Sequence, residues 1–271
     1  MHFSEKLDRV IQEKQSLLCV GLDSVVDKIP AELQHDSDPL FAFNKAIIDA
    51  TAPYAAAYKV NTAFYEAHGL AGWQALEKTF RYLPADVIRI ADAKRGDIGN
   101  TSKMYARAVF GQLGADAVTV HPLMGGDSVA PFLEEEARGV FFLCLTSNPG
   151  SRDFQHLDCG GRPLYEAIAL KVQQWNARGN CGLVVGATQP EQLGAIRTLV
   201  PELPFLIPGI GAQGGDLEAS VRLGTGRAGR GALFNSSRAI LYASAEEDFR
   251  EAAARAARTT RDDLNRAGER R

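Results

Sequence analysis

Three charged side chains follow a short apolar run in the middle of the chain, and their types suit electrostatic or acid–base chemistry. Asp92, Lys94 and Asp97 come after residues 87–90, a run typical of a buried strand. Because side chains alternate along a strand, Asp92 and Lys94 are predicted to share a face. Burying these charges is costly unless they are paired or face a wet cleft. We therefore expect a functional cleft here, although a structural Asp92–Lys94 ion pair, with Asp97 or Asn100 as a helix cap, fits the same pattern.

The elements that position these charges are predicted from short apolar runs that alternate with helical patterns. Strands are predicted at 17–22, 55–60, 87–90, 117–120, 140–145, 182–185, 205–207 and 231–234. Helices are predicted at 3–15, 39–52, 65–82, 104–113, 128–135, 163–178, 190–200 and 217–223, with a solvated surface helix at 246–267. This alternation predicts an α/β fold, a single (β/α)8 TIM barrel over residues 1–271, with a doubly wound open sheet as the alternative.

Composition narrows the function classes. The chain has 271 residues, 45% of them hydrophobic, and a net charge of −3, which argues against a general nucleic-acid binder. No apolar run approaches the roughly 20 residues that span a bilayer. The first residues show no apolar signal region and no Cys-x-x-Cys pair occurs, so we expect a cytoplasmic protein with reduced thiols.

In a barrel of this kind, chemistry collects at the carboxyl ends of the strands. The residues that the chain is predicted to place there are Asp23, Lys59, Asp92, Lys94, Asp97, His121, Ser147, Gln213 and Arg238. Some have ordinary structural interpretations: Asp23 and Ser147 fit helix caps, and His121 before Pro122 fits a turn. We predict no metal site, because Lys59 and Lys94 would compete with a divalent ion.

The last two strand exits together predict a phosphate site. A glycine-rich turn at 208–216 follows the seventh strand, and Ser236, Ser237 and Arg238 follow the eighth. Backbone N–H groups at helix starts suit an anion, and a guanidinium binds one with two hydrogen bonds.

Residues 92–101, Asp-Ala-Lys-Arg-Gly-Asp-Ile-Gly-Asn-Thr, resemble the Asp-x-Lys-x-x-Asp-Ile-x-x-Thr motif of the orotidine 5′-phosphate decarboxylase family. The similarity extends in order to Asp23, Lys59, the Ser147 loop, the Pro208 to Gln213 turn and Arg238, and it favours the longer bacterial subgroup, type 2. Two departures are visible: Ser237 stands where many relatives have glycine, and Asn148 where many have histidine.

The resemblance implies decarboxylation of orotidine 5′-monophosphate (OMP) to uridine 5′-monophosphate (UMP), the last step of de novo UMP biosynthesis, without metal or cofactor. Lys94 would donate a proton to C6. The implied catalytic residues are Lys94, Asp92, Asp97 and Lys59, and the implied substrate-binding residues are Asp23, Ile98, Thr101, Ser147, Pro208, Gln213, Ser237 and Arg238. It also implies a homodimer in which Asp97, Ile98 and Thr101 complete the partner's site. The alternatives are a Mg²⁺-dependent sugar-phosphate decarboxylase on the same barrel and a non-catalytic phosphate-binding barrel.

Overall fold

Parallel strands close into a barrel whose strand order follows the chain. The computed structural model describes residues 1–210, 216–226, 229 and 231–269. Within them the strands are β1 (Leu18–Gly21), β2 (Ala57–Asn61), β3 (Ile88–Arg95), β4 (Ala117–Val120), β5 (Gly139–Leu145), β6 (Cys181–Val185), β7 (Phe205–Pro208) and β8 (Ala232–Ser236). Because β8 pairs with β1, the predicted TIM barrel is confirmed and the open sheet is wrong.

Helices surround this barrel, as the alternating pattern predicted. They are α1 (Phe3–Lys14), α2 (Ala31–Gln34), α3 (Pro39–Thr51), α4 (Ala63–Glu66), α5 (Gly69–Tyr82), α6 (Gly99–Ala106), α7 (Gly126–Val129), α8 (Leu164–Trp175), α9 (Pro190–Leu199), α10 (Leu217–Gly224), α11 (Arg238–Leu241) and α12 (Phe249–Glu269). Short 3₁₀ turns and one π-helical segment, Arg107–Gln112, complete the connections.

Several predicted helices differ from the observed ones. The helix predicted at 65–82 is interrupted, because α4 ends at Glu66 and α5 begins at Gly69, whose φ of +58° changes the chain direction between the two helices. The helix predicted at 104–113 begins earlier, at Gly99, and finishes as the π-helical segment. The helix predicted at 128–135 is one α-turn followed by a 3₁₀ turn, because Pro131 cannot donate to a continuing helix.

The C-terminal helix α12 is more than the solvated surface helix that was predicted. Its inner face buries Phe249, Ala253, Ala257 and Leu264 in the hydrophobic core, and the helix packs on α3 and α10. Only its outer face is charged, so the helix is amphipathic and covers the barrel where the chain closes.

A local irregularity separates β3 from β4 near the carboxyl end of the barrel. Ala91 pairs with Val118, and the next pair is Arg95 with Val120, so four residue steps on β3 face two on β4. The extra residues bulge out of β3, and bulges of this kind re-aim side chains next to active sites.

The opposite end of the barrel carries a buried ionic cluster. The Asp116 carboxylate precedes β4 and accepts hydrogen bonds from Lys6 Nζ at 2.7 Å and from Arg89 Nε at 2.9 Å. Burial works against the charged form of Asp116, but these cations hold its pKa below the ordinary value. The cluster joins α1 to β3 and β4, which indicates a role in stability.

Candidate active site

A cavity of about 570 Å³ opens at the carboxyl ends of the strands. The sequence-predicted residues that line it are Asp23, Lys59, Asp92, Lys94, Ser147, Pro208, Ser237 and Arg238. They come from six different strand exits, which the closed barrel brings to one place.

Four charged groups form a continuous alternating chain along the floor of this cavity. Lys94 Nζ donates to Asp92 Oδ1 at 2.7 Å. Lys59 Nζ lies between two carboxylates, 3.1 Å from Asp92 Oδ2 and 3.0 Å from Asp23 Oδ1. The register places Lys59 near this carboxylate, because Lys59 of β2 pairs with Ile90 of β3, two residues before Asp92 on the same face of the strand.

Burial and neighbouring charge act in opposite directions on the groups of this chain. Burial would raise the pKa of Asp92, but the ammonium groups of Lys59 and Lys94 lower it to about 2. Burial would likewise lower the pKa of Lys59, and the carboxylates of Asp23 and Asp92 raise it instead. Both groups therefore stay charged at neutral pH, and the cavity presents a fixed field to its contents.

The backbone at Lys94 is held in an unusual conformation. Its φ is +46°, in the left-handed region that a residue with a Cβ adopts at a cost of about 1–2 kcal/mol. The simple alternation that predicted Asp92 and Lys94 on one face therefore breaks down within the β3 bulge, although the two side chains do meet. Strain at a cavity-lining lysine, whose side chain is 46% exposed, is typical of a functional position.

The Asp23 carboxylate is held from two directions. Lys59 holds one of its oxygens, and the Ser237 hydroxyl donates to the other, Oδ2, at 2.8 Å. Asn235 Nδ2 donates in turn to Ser237 Oγ at 3.2 Å. Gly21 makes room for this contact, since a Cβ on it would lie 1.9 Å from Ser237 Oγ. The hydroxyl that departs from the family pattern thus orients a cavity-lining carboxylate.

The loop that carries Ser147 is fixed by a side chain from further along the chain. Gln155 Oε1 accepts from the Thr146 amide at 2.8 Å, and Gln155 Nε2 donates to Thr146 Oγ1 at 2.9 Å. Thr146 Oγ1 also bonds Asn148 Oδ1 at 2.6 Å. The polar segment 151–162 therefore supports the edge of the cavity on which Ser147 lies.

Other predicted residues do not line the cavity of this chain. Asp97, Ile98 and Thr101 lie beyond the end of β3, where Asp97 Oδ1 accepts a hydrogen bond from the adjacent Ile98 amide at 2.8 Å. Asp97 does not cap α6, because Ile98 occupies the N-cap position and no side-chain cap bond forms. His121 is exposed in the turn after β4. Gln213 lies outside the described residues.

Sequence reasoning missed several cavity residues. Lys28, Asn61, Thr119, Asn235 and Tyr242 also line the cavity. Asn61 and Asn235 end or nearly end their strands, so strand-exit position alone was a usable signal. Thr119 lies inside the apolar run of β4, and nothing in that run distinguishes it from a packing residue.

The part of the chain that the structure describes contains neither a cluster of metal ligands nor a membrane-spanning helix. There, no three His, Cys, Asp or Glu side chains come close enough together to hold a metal ion. No helix in that part has the length and apolar character needed to cross a bilayer.

Comparison with known proteins identifies relatives over nearly the whole chain. Residues 16–256 match the family model described as Orotidine 5′-phosphate decarboxylase / HUMPS family. A curated protein of Dehalococcoides mccartyi named orotidine 5′-phosphate decarboxylase is 51% identical, with 98% of each chain covered. One of the same name from Christiangramia forsetii is 53% identical over 92% of this chain and 93% of the relative. The structure of Leishmania donovani OMP decarboxylase has a TM-score of 0.85 at 40% identity and covers 99% of both chains.

Proposed function

The chain belongs to the orotidine 5′-phosphate decarboxylase / HUMPS family, and we propose how its side chains perform the family's carboxy-lyase reaction. It catalyses decarboxylation of OMP to UMP and CO₂ in UMP biosynthesis, the activity for which its curated relatives are named. The observation that carries our proposal is the alternating chain of Asp23, Lys59, Asp92 and Lys94 in one cavity.

Lys94 is the proposed proton donor. Breaking the bond between C6 and the carboxyl group leaves the electron pair on C6, a vinyl-type carbanion with little resonance stabilisation. The Lys94 ammonium stabilises this charge and then transfers a proton to C6, leaving a neutral amine that takes a proton from solvent. Its half-exposed position in the cavity permits both steps.

Asp92 and Lys59 are proposed to shape the field around that ammonium. Asp92 remains ionised beside the substrate carboxylate, so it disfavours the bound ground state relative to a transition state in which that charge moves to C6. Lys59 bridges Asp92 to Asp23 and keeps the carboxylates from repelling each other.

The remaining cavity residues are proposed to bind the nucleotide. Asp23 and Lys59 suit the ribose hydroxyls, and Ser147 suits the pyrimidine. Pro208, Gln213, Ser237 and Arg238 are proposed for the phosphate end, supported by the described members of the group lining one cavity. Binding of the phosphate, which lies far from the reacting carbon, supplies free energy that helps to stabilise the transition state at C6.

A Mg²⁺-dependent sugar-phosphate decarboxylase is not favoured, since the curated relatives are named for the OMP reaction. The donor set agrees with this, because the Lys59 ammonium lies between the two carboxylates that a divalent ion would need. The test is the absorbance change of purified protein with OMP, measured with and without EDTA. We expect equal rates; loss of activity in EDTA that Mg²⁺ restores would overturn the proposal, and Lys94→Ala provides the inactive control.

We also propose that two copies share their active sites. Asp97, Ile98 and Thr101 lie outside the cavity of their own chain, and Ile98 is 57% exposed. Other large apolar side chains near this region are exposed too, namely Met104, Leu123 and Met124. Exposed apolar side chains next to polar ones that do not line their own cavity suit an isologous dimer, in which both subunits contribute the same surface. In this dimer Asp97 completes the row of alternating charges in the partner's cavity.

The shared site can be tested by mixing two inactive variants. Lys94→Ala and Asp97→Ala each inactivate every site of a homodimer, but a mixed dimer has one intact site. Random reassociation of equal amounts is expected to restore about a quarter of wild-type activity. No recovery would refute sharing. Sedimentation of Ile98→Glu, expected as a monomer, is compared with Leu70→Glu on α5, at a position that is 75% exposed against 57% for Ile98 and that we expect to leave the dimer intact.

Two more general predictions stand as proposals. We propose that the whole chain acts as one catalytic domain, supported by the packing of α1 and α12 onto the barrel. A cytoplasmic location is supported by the four cysteines, which are all free.

A further inference from the structure

Thr119 is a buried hydroxyl at the place where β3 bulges away from β4. Its residue is only 1% exposed, yet it lines the cavity. The regular pairing between the strands skips Asp92 to Lys94, so Thr119 faces the bulge. Backbone groups of a bulge lose their ladder partners and need substitutes.

The Thr119 hydroxyl replaces a missing partner of the β3 backbone, and it acts both as an acceptor and as a donor of hydrogen bonds. Its Oγ1 accepts a hydrogen bond from the Lys94 amide at 3.0 Å. The same hydroxyl donates to Asp92 Oδ1 at 2.8 Å. A hydroxyl oxygen can donate one hydrogen bond and accept another. The single side chain of Thr119 can therefore bind the backbone of the bulge and orient the Asp92 carboxylate.

The two contacts fix the two ends of the Asp92–Lys94 pair. Asp92 Oδ1 receives both Thr119 Oγ1 and Lys94 Nζ, and its other oxygen receives Lys59. The Lys94 amide that Thr119 holds belongs to the residue with the strained φ of +46°. The charged groups that act on Asp92 are Lys59 from β2 and Lys94 from β3, with Asp23 beyond Lys59, and β4 contributes this uncharged hydroxyl.

We propose that Thr119 is a positioning residue, which holds the Asp92 carboxylate and the Lys94 backbone in the arrangement needed for proton transfer to C6. This inference rests on the roles proposed above for Asp92 and Lys94. It predicts that the hydroxyl, and not the methyl group, matters, and that the rate is affected more than substrate binding.

The test is the kinetics of Thr119→Val, Thr119→Ala and Thr119→Ser with OMP. Loss of a hydrogen bond to a charged group is expected to lower kcat by about 10- to 100-fold in the Val and Ala variants. KM should change less than about threefold, because the transition state and not the substrate loses stabilisation. The Ser variant keeps the hydroxyl and should recover most of the rate.

The control is Thr51→Val on α3, which also removes a buried hydroxyl but one that bonds the Ile47 carbonyl and the Tyr58 hydroxyl. It should leave kcat unchanged. A wild-type rate in Thr119→Val and Thr119→Ala, equal losses in the Ser and Val variants, or a higher KM at unchanged kcat would each overturn the inference. If Thr119→Val does not fold, the Ala and Ser pair decides. Failure of the wild type itself to turn over OMP would instead refute the proposed function.

Discussion

Replacing Lys94 by alanine and by glycine separates its chemical role from its backbone strain. Both substitutions remove the ammonium 2.7 Å from Asp92 Oδ1 and with it the proposed proton donor. Proton transfer by a positioned side chain contributes about 10²–10⁴ to a rate, and a preorganised charge about 10²–10³. We therefore expect kcat to fall by at least about 10⁴-fold in both variants.

The two variants should differ in stability. Alanine keeps a Cβ at a φ of +46°, which costs about 1–2 kcal/mol, whereas glycine adopts this region freely. Glycine loses about 0.5–1 kcal/mol more backbone entropy on folding than alanine. The difference leaves the glycine variant more stable by roughly 0.5–1 kcal/mol. The lost ion pair affects both variants equally and cancels in this comparison.

The assays are urea unfolding for stability and the absorbance change of OMP for activity. Lys45, an exposed residue within helix α3, provides the control, because there glycine should be about 1 kcal/mol less stable than alanine. A Lys94→Ala variant that is as stable as Lys94→Gly would refute the argument about strain. Turnover within about 100-fold of wild type in either variant would refute the role given to the ammonium.

Three further outcomes follow from the structure. Asp116→Asn should lower the free energy of unfolding by about 3 kcal/mol, because Arg89 loses the buried carboxylate that it pairs with. The kcat should not change, because the pair lies far from the cavity. Urea unfolding measures the first effect and steady-state kinetics the second. The low pKa of Asp92 means that its charge contributes stability above pH 3.8, about 2 kcal/mol, which is lost as the pH falls toward 2. The stability advantage of wild type over Asp92→Asn should shrink accordingly, and a constant difference from pH 7 to 2 would contradict it. Gly21→Ala places a Cβ 1.9 Å from Ser237 Oγ and should push this hydroxyl away from Asp23, which raises KM for OMP by about tenfold. Ser237→Gly removes the same hydrogen bond, so steady-state kinetics should show a similar rise in KM, and a wild-type KM in both variants would contradict the role given to the hydroxyl.

Strand order and strand-exit position could be predicted from the sequence. Continuous apolar runs that alternate with helices specify parallel strands covered on both sides, and a closed barrel brings their carboxyl ends together. Asp23, Lys59, Asp92 and Lys94 could therefore be assigned to one cavity before their contacts were known. Helix interruptions such as that at Gly69 were missed, because the hydrophobic pattern continues through them.

Side-chain pairing between distant parts of the chain was decided only by the tertiary structure. Asp23 and Ser237 are 214 positions apart and meet only because β8 closes onto β1. The partnership of Thr119 with Asp92 and Lys94 depends on a bulge, which is a property of the register between two strands and leaves no mark in the hydrophobic pattern of either. Local sequence determines which face a residue prefers, whereas hydrogen-bond geometry between strands determines which atoms meet.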